Sequence, residues 1–389
     1  MRFDREKLEE IAGSLKNGLI PASISNANAA TLISSMKLVM NPNKVIDKLR
    51  DDLNNILGEK CNVTFYSSGE EAIYEALIFL QLRNQCRSLY IPAYTCQSVL
   101  RAAIKADYKI HLCDVSRDFS IQMSKNIIPN VVVLDQEIFG IRNTALPSMI
   151  ERSMRDKFFV LADLTQAFQS GRKLKFNDNT LYIGSFGSAK PVAGLGGGFI
   201  ASKFSLNQKN DFQVFNIKSW GFLIVRFISL FQGKYTNSIA RSFIRVTKIN
   251  RTSFAKYSYK PFKLISVLAV ASILLKKLPE NEIIRKINYK KWEAIFSEST
   301  KFRFFPSTEI GNAQFFPIIC REGKLQRDKL QGILYRLGIS AETTYAPLNQ
   351  EFPQSVENHE KILLLPTHAG MTSKTWNRIL NKSKLMEYI

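Results

Sequence analysis

Residues 181–202, LYIGSFGSAKPVAGLGGGFIAS, decide the fold of this chain. Two short apolar runs, Leu181–Phe186 and Gly198–Ser202, are typical of buried strands, and small residues surround Lys190 in the loop between them. A lysine held in a tight, glycine-rich loop after a strand is partly desolvated, which lowers its pKa and makes its amine nucleophilic. Isolated lysines are far more often solvated surface charges, so the interpretation of Lys190 depends on the rest of the sequence.

The sequence before this stretch alternates short apolar runs with helical or turn segments. Such alternation predicts an α/β fold in which a mostly parallel sheet is flanked by helices. The runs are apolar throughout, as expected of strands covered on both faces. With the two runs above they predict a seven-stranded sheet, and the other five strands are Asn62–Tyr66, Ser88–Ile91, Lys109–Asp114, Val131–Asp135 and Phe158–Ala162. Helices are predicted at Gly69–Leu82 and Gln97–Ala106.

The pattern changes after residue 202. We divide the chain into an N-terminal segment (1–42) that packs on the small domain, a large domain (43–284) and a smaller C-terminal α+β domain (285–389). The elements predicted after residue 202 are helices at Trp220–Phe231, Leu264–Leu275, Ile283–Phe296, Leu325–Leu337 and Thr372–Tyr388, and a strand at Asn312–Cys320.

The charge of the chain is concentrated in one segment. The chain has 389 residues, 45% of them apolar, and a formal net charge of +21, a composition that excludes a disordered chain. Residues 203–277 contain 14 basic residues and one acidic residue. Two interpretations of this basic segment stay open: a dimer or domain interface with a basic rim, and peripheral contact with an anionic membrane surface. Because basic and acidic residues are nearly balanced in the rest of the chain, no nucleic-acid partner is expected.

The cysteines, the N-terminus and the histidines exclude several other classes. Five cysteines without a C-x-x-C pair predict no disulfide framework. The polar N-terminus predicts no secretory signal, and the apolar stretch Leu264–Leu275 is shorter than the roughly 18–20 residues that span a bilayer. His111, His359 and His368 lack the spacing of metal ligands. We therefore expect a cytoplasmic protein without a metal site or a membrane-spanning helix.

Two further polar clusters lie directly after predicted strands, where open α/β sheets bind their ligands. In the first, Ser68 and Gly69 begin a helix whose unpaired N–H groups suit a phosphate, although Ser68 and Glu71 also form a capping box that needs no ligand. In the second, Asp163 could bind a metal, cap a helix or pair with a cationic heterocycle. Taken alone, each cluster is most simply explained as local structure.

Together, the three clusters match one cofactor. Pyridoxal phosphate needs a phosphate-binding cup, a carboxylate for its pyridine nitrogen and a lysine for its aldehyde. The stretches Ser185–Lys190 (S-F-x-x-x-K) and Asp163–Gln166 (D-x-x-Q) resemble motifs of the fold-type I aminotransferases, specifically of the DegT/DnrJ/EryC1/StrS sugar aminotransferase family. The resemblance runs from about residue 43 to the end of the chain.

The resemblance implies roles for residues in these stretches. Lys190 would link to the cofactor and act as general base and acid. Asp163 would keep the pyridine nitrogen protonated, and Gln166 would bond the ring hydroxyl. The phosphate would be held by Ser68, Gly69 and Ser185.

Other parts of the chain take part in the same resemblance. Tyr94, in Pro92-Ala93-Tyr94-Thr95, would stack on the pyridine face. The L-G-I step at Gly338-Ile339, the Tyr345 region and the Leu365-Pro366 turn also match, and we assign them to small-domain structure.

Two positions depart from the family pattern. The phosphate cup of the family usually reads S-G-T, and Glu70 replaces the threonine here, which is expected to weaken cofactor affinity by repelling the phosphate. The stretch Tyr257–Lys260 aligns with the family's Y-N-Y-R loop, which reaches into the neighbouring subunit. Lys260 keeps the charge of that arginine but loses its bidentate fork. This alignment implies a homodimer with shared active sites.

The activity implied by the resemblance is a ping-pong transamination. The amino donor would be glutamate, and the acceptor a nucleotide-linked keto sugar used in surface-glycan or related biosynthesis. One alternative keeps fold and cofactor but changes the reaction to elimination or dehydration; Lys190 disfavours it, because the dehydratase relatives carry histidine there. A second alternative is a non-catalytic binding subunit with a weakened cofactor site.

Overall fold

Seven strands form the central sheet of the computed structural model, which describes residues 19–24, 29–39, 41–123, 127–206, 212–213, 263–381 and 383–389. The strands are β1 (Asn62–Tyr66), β2 (Ser88–Pro92), β3 (Lys109–Cys113), β4 (Val132–Gln136), β5 (Phe159–Asp163), β6 (Thr180–Ser185) and β7 (Gly198–Ser202). Their order in the sheet is β1-β7-β6-β5-β4-β2-β3. Each end lies within one residue of its predicted position. The predicted α/β fold with a mostly parallel, seven-stranded sheet is therefore confirmed.

Strand β7 runs antiparallel to both of its neighbours, β1 and β6. The loop between β6 and β7 contains no crossover helix, so the chain returns beside β6 in the opposite direction. The other pairs in the sheet are parallel. Strand β1 consequently points the same way as β6, and the carboxyl ends of β1, β2, β4, β5 and β6 meet at one edge of the sheet.

Helices cover both faces of the sheet. They are α1 (Ala29–Val39), α2 (Pro42–Leu57), α3 (Gly69–Asn84), α4 (Gln97–Lys105), α5 (Leu146–Asp156) and α6 (Ile265–Leu275). Helices α3 and α4 pack on one face, and α1, α2, α5 and α6 share the core of the other. Every residue of α6 except Ile273 is buried, which explains why this stretch is apolar all round.

The C-terminal part of the chain forms a second, antiparallel sheet. Before it, the short strands β8 (Phe212–Gln213) and β9 (Lys263–Leu264) pair with each other. The second sheet contains β10 (Phe302–Phe304), β11 (Phe315–Cys320), β12 (Glu342–Thr343) and β13 (Ile362–Pro366), in the order β10-β11-β13-β12. The accompanying helices are α7 (Leu278–Phe296), α8 (Lys324–Arg336), α9 (Pro353–Lys361), α10 (Ser373–Leu380) and α11 (Ser383–Tyr388). An antiparallel sheet with separate helices has the α+β character predicted for this region.

Three predictions for the C-terminal region are wrong in detail. The strand predicted from Asn312 begins at Phe315, because the side chain of Asn312 is buried and donates to backbone carbonyls of another segment. The single helix predicted at Thr372–Tyr388 is two helices; Thr372 does cap the first, accepting a hydrogen bond from Thr375 N at 3.4 Å. Leu365-Pro366 is the end of β13 and not a turn, since its apolar run pairs with β11.

Helix α7 begins at Leu278, earlier than its predicted start at Ile283, because Pro279 is compatible with a first helical turn. Leu278 belongs to the core of the large sheet, whereas Trp292 and Phe296 belong to the core of the small sheet. The helix therefore runs between the two cores, and the predicted boundary at residues 284 and 285 lies inside it. The three predicted domains stay a prediction.

The N-terminal segment has two separate attachments in its described part. Ile20 pairs with the C-terminal region: its amide donates to Gly338 O at 2.8 Å, and its carbonyl accepts from Ser340 N at 2.8 Å. Helix α1 packs instead on α6 in the core of the large sheet. Ile20 therefore contacts the C-terminal region and α1 the large sheet, and the packing of residues 1–42 on the small domain stays a prediction.

The predicted helix at Trp220–Phe231 and most of the basic segment 203–277 lie outside the described residues. Within the described ranges, no helix is both long and apolar enough to cross a membrane.

Candidate active site

A cavity opens at the edge where the carboxyl ends of the strands meet. Residues from the ends of β1, β2, β4, β5 and β6 and from the segments after them line it, together with Tyr345 from the C-terminal region. The lining residues from the large sheet are Gly69, Glu70, Ile73, Thr95, Cys96, Ser98, Gln136, Ile138, Asp163, Thr165, Gln166, Ser185 and Lys190. Of the eight site residues predicted from the sequence, Gly69, Asp163, Gln166, Ser185 and Lys190 are brought together here.

Lys190 lies in the turn that follows β6. Its amide donates to Gly187 O at 3.0 Å, and Ala193 N donates to its carbonyl at 2.8 Å. The amine of its half-buried side chain donates to the hydroxyl of Thr165 at 3.4 Å. Burial lowers the pKa of the Lys190 amine, and the negative charge of Asp163 opposes this shift. An amine with a lowered pKa carries a free lone pair at lower pH than a surface lysine does.

Two buried polar side chains hold the peptides on either side of Lys190. Gln314 donates its amide to Ala189 O at 3.2 Å, and Arg285 donates to Pro191 O at 2.9 and 3.1 Å. Arg285 also donates to Gln314 Oε1 at 2.5 Å. Desolvation of the guanidinium lowers the pKa of Arg285 to about 10. Because both side chains come from the C-terminal half of the chain, that half orients the turn containing Lys190.

Asp163 and Gln166 occupy the end of β5 and the turn after it. Asp163 Oδ1 accepts a hydrogen bond from Thr165 N at 2.9 Å, which orders the turn after β5; no helix begins there, so this contact is not the helix cap that the sequence allowed. Gln166 Oε1 accepts from Phe139 N at 2.9 Å, and its amide nitrogen donates to the hydroxyl of Tyr345. Both side chains are at least nine-tenths buried and line the cavity, and hydrogen bonds hold each of them in place.

The loop after β1 begins α3 with the capping box that the sequence allowed. Ser68 Oγ accepts from Glu71 N at 3.1 Å, and the Glu71 carboxylate accepts from Ser67 N at 2.8 Å. Ser68 does not line the cavity, whereas Gly69 does. A Cβ on Gly69 would lie 3.1 Å from Ser185 Cβ and 3.2 Å from Ser185 Oγ. The missing side chain at Gly69 therefore lets the helix start approach Ser185 closely.

Gly198 holds this helix start against the loop of Lys190. A Cβ on Gly198 would lie 2.5 Å from Ser68 O and 2.7 Å from Gly69 N, so no larger residue fits without moving the backbone. Its neighbour Gly197 has φ of +94°, in the region that favours glycine, and donates its amide to Ser67 O at 2.9 Å. The glycine run after Lys190 is thus required by close packing.

Tyr94 lies behind the cavity and not in its lining. It is fully buried, donates its hydroxyl to Thr344, and packs its ring edge-on against Tyr345, with 5.9 Å between the ring centroids. The residues after it, Thr95 and Cys96, line the cavity instead. Tyr94 supports Tyr345 in this structure, and the stacking role expected for it stays a prediction.

Gln136 and Tyr345 are among the polar residues of the cavity that sequence reasoning missed, as are Thr95, Ser98 and Thr165. Gln136, at the end of β4, accepts from the Thr95 hydroxyl at 2.7 Å and donates to Tyr94 O at 2.6 Å. Tyr345, expected to belong to small-domain structure, is half-buried; its hydroxyl accepts a hydrogen bond from Gln166, and burial raises its pKa well above the ordinary value. The strand-end position of Gln136 was a usable signal, whereas nothing in the sequence links Tyr345 to Gln166.

Lys260, expected to contact the cofactor phosphate of the neighbouring subunit, lies outside the described residues.

Comparison with known proteins gives likeness in structure only. No family model and no curated protein matches the sequence. Among solved structures, PseC of Helicobacter pylori, an aminotransferase involved in pseudoaminic acid biosynthesis, is similar with a TM-score of 0.68 and 14% identity over 95% of this chain and 100% of that one. NtdA of Bacillus subtilis, with the cofactor PMP bound, has a TM-score of 0.67 and 16% identity over 94% of this chain and 82% of that one.

A third similar structure is that of an enzyme named for a different reaction. The GDP-4-keto-6-deoxy-D-mannose-3-dehydratase of E. coli, with hydrated PLP bound, has a TM-score of 0.66 and 13% identity over 95% of this chain and 99% of that one. The chain has the fold of the fold-type I pyridoxal-phosphate enzymes. At these identities the likeness is evidence for the fold, and the choice among reactions depends on the residues of the cavity.

We expect Gly198→Ala to lower the free energy of unfolding by about 1–3 kcal/mol, because the new methyl group would overlap the backbone of Ser68. Urea denaturation measures this change. Gly332→Ala is the matched control: it lies inside α8, where a Cβ meets a single atom at 3.8 Å, and should raise the free energy of unfolding by about 0.5–1 kcal/mol. Equal stability of Gly198→Ala and the wild type would contradict the packing argument.

We also expect the Lys190 amine to react at lower pH than a surface lysine, because burial lowers its pKa below 10.5. The protein is labelled with a small amine-reactive reagent between about pH 6 and pH 11, and labelling at Lys190 is followed by peptide mass mapping. The midpoint of its pH dependence reports the pKa of the amine. Exposed Lys175 serves as the reference in the same digest. Asp163→Asn removes a charge that raises the pKa of Lys190 and should move the midpoint lower still. A Lys190 midpoint equal to that of Lys175 would disprove the expectation.

Proposed function

We propose that this protein is a pyridoxal-phosphate-dependent aminotransferase that transfers an amino group from glutamate to a nucleotide-activated keto sugar. One observation carries the proposal: the desolvated amine of Lys190, the carboxylate of Asp163 and the close Gly69–Ser185 pair open on the same cavity. Solved structures of the same fold support it, among them an aminotransferase involved in pseudoaminic acid biosynthesis and proteins with PLP or PMP bound.

The residues of the cavity fit the cofactor in kind. A desolvated amine suits attachment to an aldehyde, and a buried carboxylate suits a protonated pyridine nitrogen. The absent side chain at Gly69 leaves backbone at a helix N-terminus beside the Ser185 hydroxyl, which suits a phosphate. Ser68 contributes to this proposed cup through the cap that orders the helix start, and Gly69 and Ser185 through direct contact.

The bound cofactor would supply an electron sink for carbanion chemistry. The chain's own residues would do the rest. Lys190 would hold the cofactor and move a proton on the substrate carbon, while Thr165 orients its amine through the 3.4 Å hydrogen bond. Asp163 would keep the ring nitrogen protonated. Gln166 would bond the ring hydroxyl from a side chain already fixed by Phe139 and Tyr345.

The assembly and location of the protein belong to the same proposal. We propose a homodimer in which Lys260 reaches the site of the neighbouring subunit, as the resemblance to Y-N-Y-R loops implies. We also propose a cytoplasmic protein, and peripheral contact of the basic segment 203–277 with an anionic membrane surface as the alternative to a basic interface rim. These points derive from the sequence.

Cofactor binding and turnover test the function. Wild-type protein mixed with pyridoxal phosphate should develop the visible absorbance of a lysine-bound cofactor, Lys190→Ala should lose it, and Lys175→Ala, a surface control, should keep it. The enzyme with bound pyridoxal phosphate is then incubated with glutamate and a panel of nucleotide keto sugars, and the products are identified by mass spectrometry.

Three results separate the candidates. An aminated sugar with release of the keto acid supports transamination. Loss of water from the sugar without amination identifies the dehydratase alternative, and cofactor binding without turnover of glutamate identifies a non-catalytic subunit. An absorbance band that persists in Lys190→Ala would overturn the assignment of Lys190.

Membrane contact is tested by sedimentation with vesicles. If the basic segment adsorbs to an anionic surface, the protein should sediment with vesicles containing phosphatidylserine and be released as salt rises, because electrostatic adsorption is screened. Vesicles of phosphatidylcholine alone are the control. Sedimentation that is equal with both vesicles, or none with either, would favour the interface interpretation.

A further inference from the structure

Glu70 forms a bidentate ion pair with Arg101 at the wall of the cavity. Arg101 Nη2 lies 2.6 Å from Glu70 Oε2, and Arg101 Nε lies 3.2 Å from Glu70 Oε1. Glu70 is in the first turn of α3 and lines the cavity, while Arg101 is on the adjacent helix α4. The Glu70 side chain is 22% exposed and the Arg101 side chain 45% exposed, so the pair is partly screened by solvent.

The position of Glu70 is the one where a carboxylate competes with a phosphate. A helix N-terminus attracts any anion through its N–H groups and its dipole. Glu70 directly follows Gly69, which lies against Ser185 in the proposed phosphate cup. A Glu70 carboxylate that Arg101 did not hold could turn toward the helix start and occupy the place of the phosphate. In the structure the fork of Arg101 draws it toward α4 instead.

We infer that Arg101 is a positioning residue that holds the Glu70 carboxylate out of the phosphate cup and neutralises its charge. This inference rests on the proposed function, because the cup is the one proposed for pyridoxal phosphate. The ion pair resolves the conflict that the sequence raised at Glu70: a glutamate in this place is compatible with a phosphate when a neighbouring arginine restrains it. The ligand group concerned is the phosphate ester and not the pyridine ring.

The geometry makes the effect of Arg101 depend on Glu70. Without Arg101, the carboxylate loses its bidentate partner and can turn to repel and replace the phosphate. Without Glu70, the loss of Arg101 removes only a partly exposed cation near the cup. The two substitutions should therefore be strongly non-additive, and removal of the glutamate should rescue removal of the arginine.

The experiment is a double-mutant cycle on the full chain, with Arg101→Gln, Glu70→Gln and the double variant. Dissociation constants are measured by absorbance titration with pyridoxal phosphate, and with pyridoxal, which reacts with Lys190 but has no phosphate. Inorganic phosphate is titrated as a third ligand by its protection against thermal unfolding. Arg50→Gln, which breaks the exposed ion pair with Asp47, is the matched control.

We expect Arg101→Gln to raise the dissociation constants of pyridoxal phosphate and inorganic phosphate about tenfold, because a partly buried charge loses its partner. Pyridoxal affinity should stay unchanged. Glu70→Gln should bind the phosphate ligands at least as tightly as the wild type. The dissociation constants of the double variant should lie within about threefold of the wild-type values. Arg50→Gln should change none of the three affinities.

Three results would overturn the inference. If Arg101→Gln weakens the binding of the phosphate ligands equally in the presence and absence of Glu70, Arg101 acts on the phosphate directly. If the binding of pyridoxal weakens as much as that of pyridoxal phosphate, the effect is a general disturbance of the cavity. If Arg101→Gln changes no affinity, the ion pair has no influence on the cup. Failure of the wild type to attach pyridoxal phosphate at Lys190 would sink the proposed function instead, and the inference would then be judged on the inorganic phosphate titration.

Discussion

The close approach of Gly198 to Ser68 is the constraint on which the site depends. Strand β7 is inserted between β1 and β6, and its start packs closely on the backbone of Ser68 because residue 198 has no side chain. The helix start that follows β1 and the lysine turn that follows β6 are thereby brought to the same edge of the sheet. A single reversed strand thus joins two segments that are far apart in the sequence.

A second set of contacts comes from the C-terminal half of the chain. Arg285 and Gln314 hold the peptides beside Lys190, Asn312 donates to the carbonyls of Gln166 and Phe168, and Tyr345 accepts from Gln166. All of these groups are buried or desolvated, so loss of any one would leave a polar partner unsatisfied. The small sheet therefore does more than cover the cavity, since it fixes the backbone from which the chemistry-bearing side chains project.

The seven strands could be predicted to within one residue because each is a short apolar run covered on both faces, a pattern that depends on local sequence. Helix α6 was predictable for the same reason. The C-terminal elements were less accurate. The local sequence places Asn312 in a strand, but its side chain donates to the backbone of a distant segment. The stretch Thr372–Tyr388 has the composition of one helix, although the chain forms two. Tyr345 lines the cavity and Tyr94 packs behind it, a difference that local sequence does not reveal because packing decides which residue faces a cavity.

The sequence by itself determined the strands, the glycine-rich turn around Lys190, the position of Asp163 at a strand end and the capping box at Ser68, since each follows from spacing and residue type within one short segment. Only the tertiary structure decided which of these residues share a cavity, that Tyr345 and Gln136 belong with them, and that Glu70 is paired with Arg101. The physical reason is that contacts between distant segments depend on the order and direction of strands and on helix packing. A local pattern carries no information about its partner across the sheet.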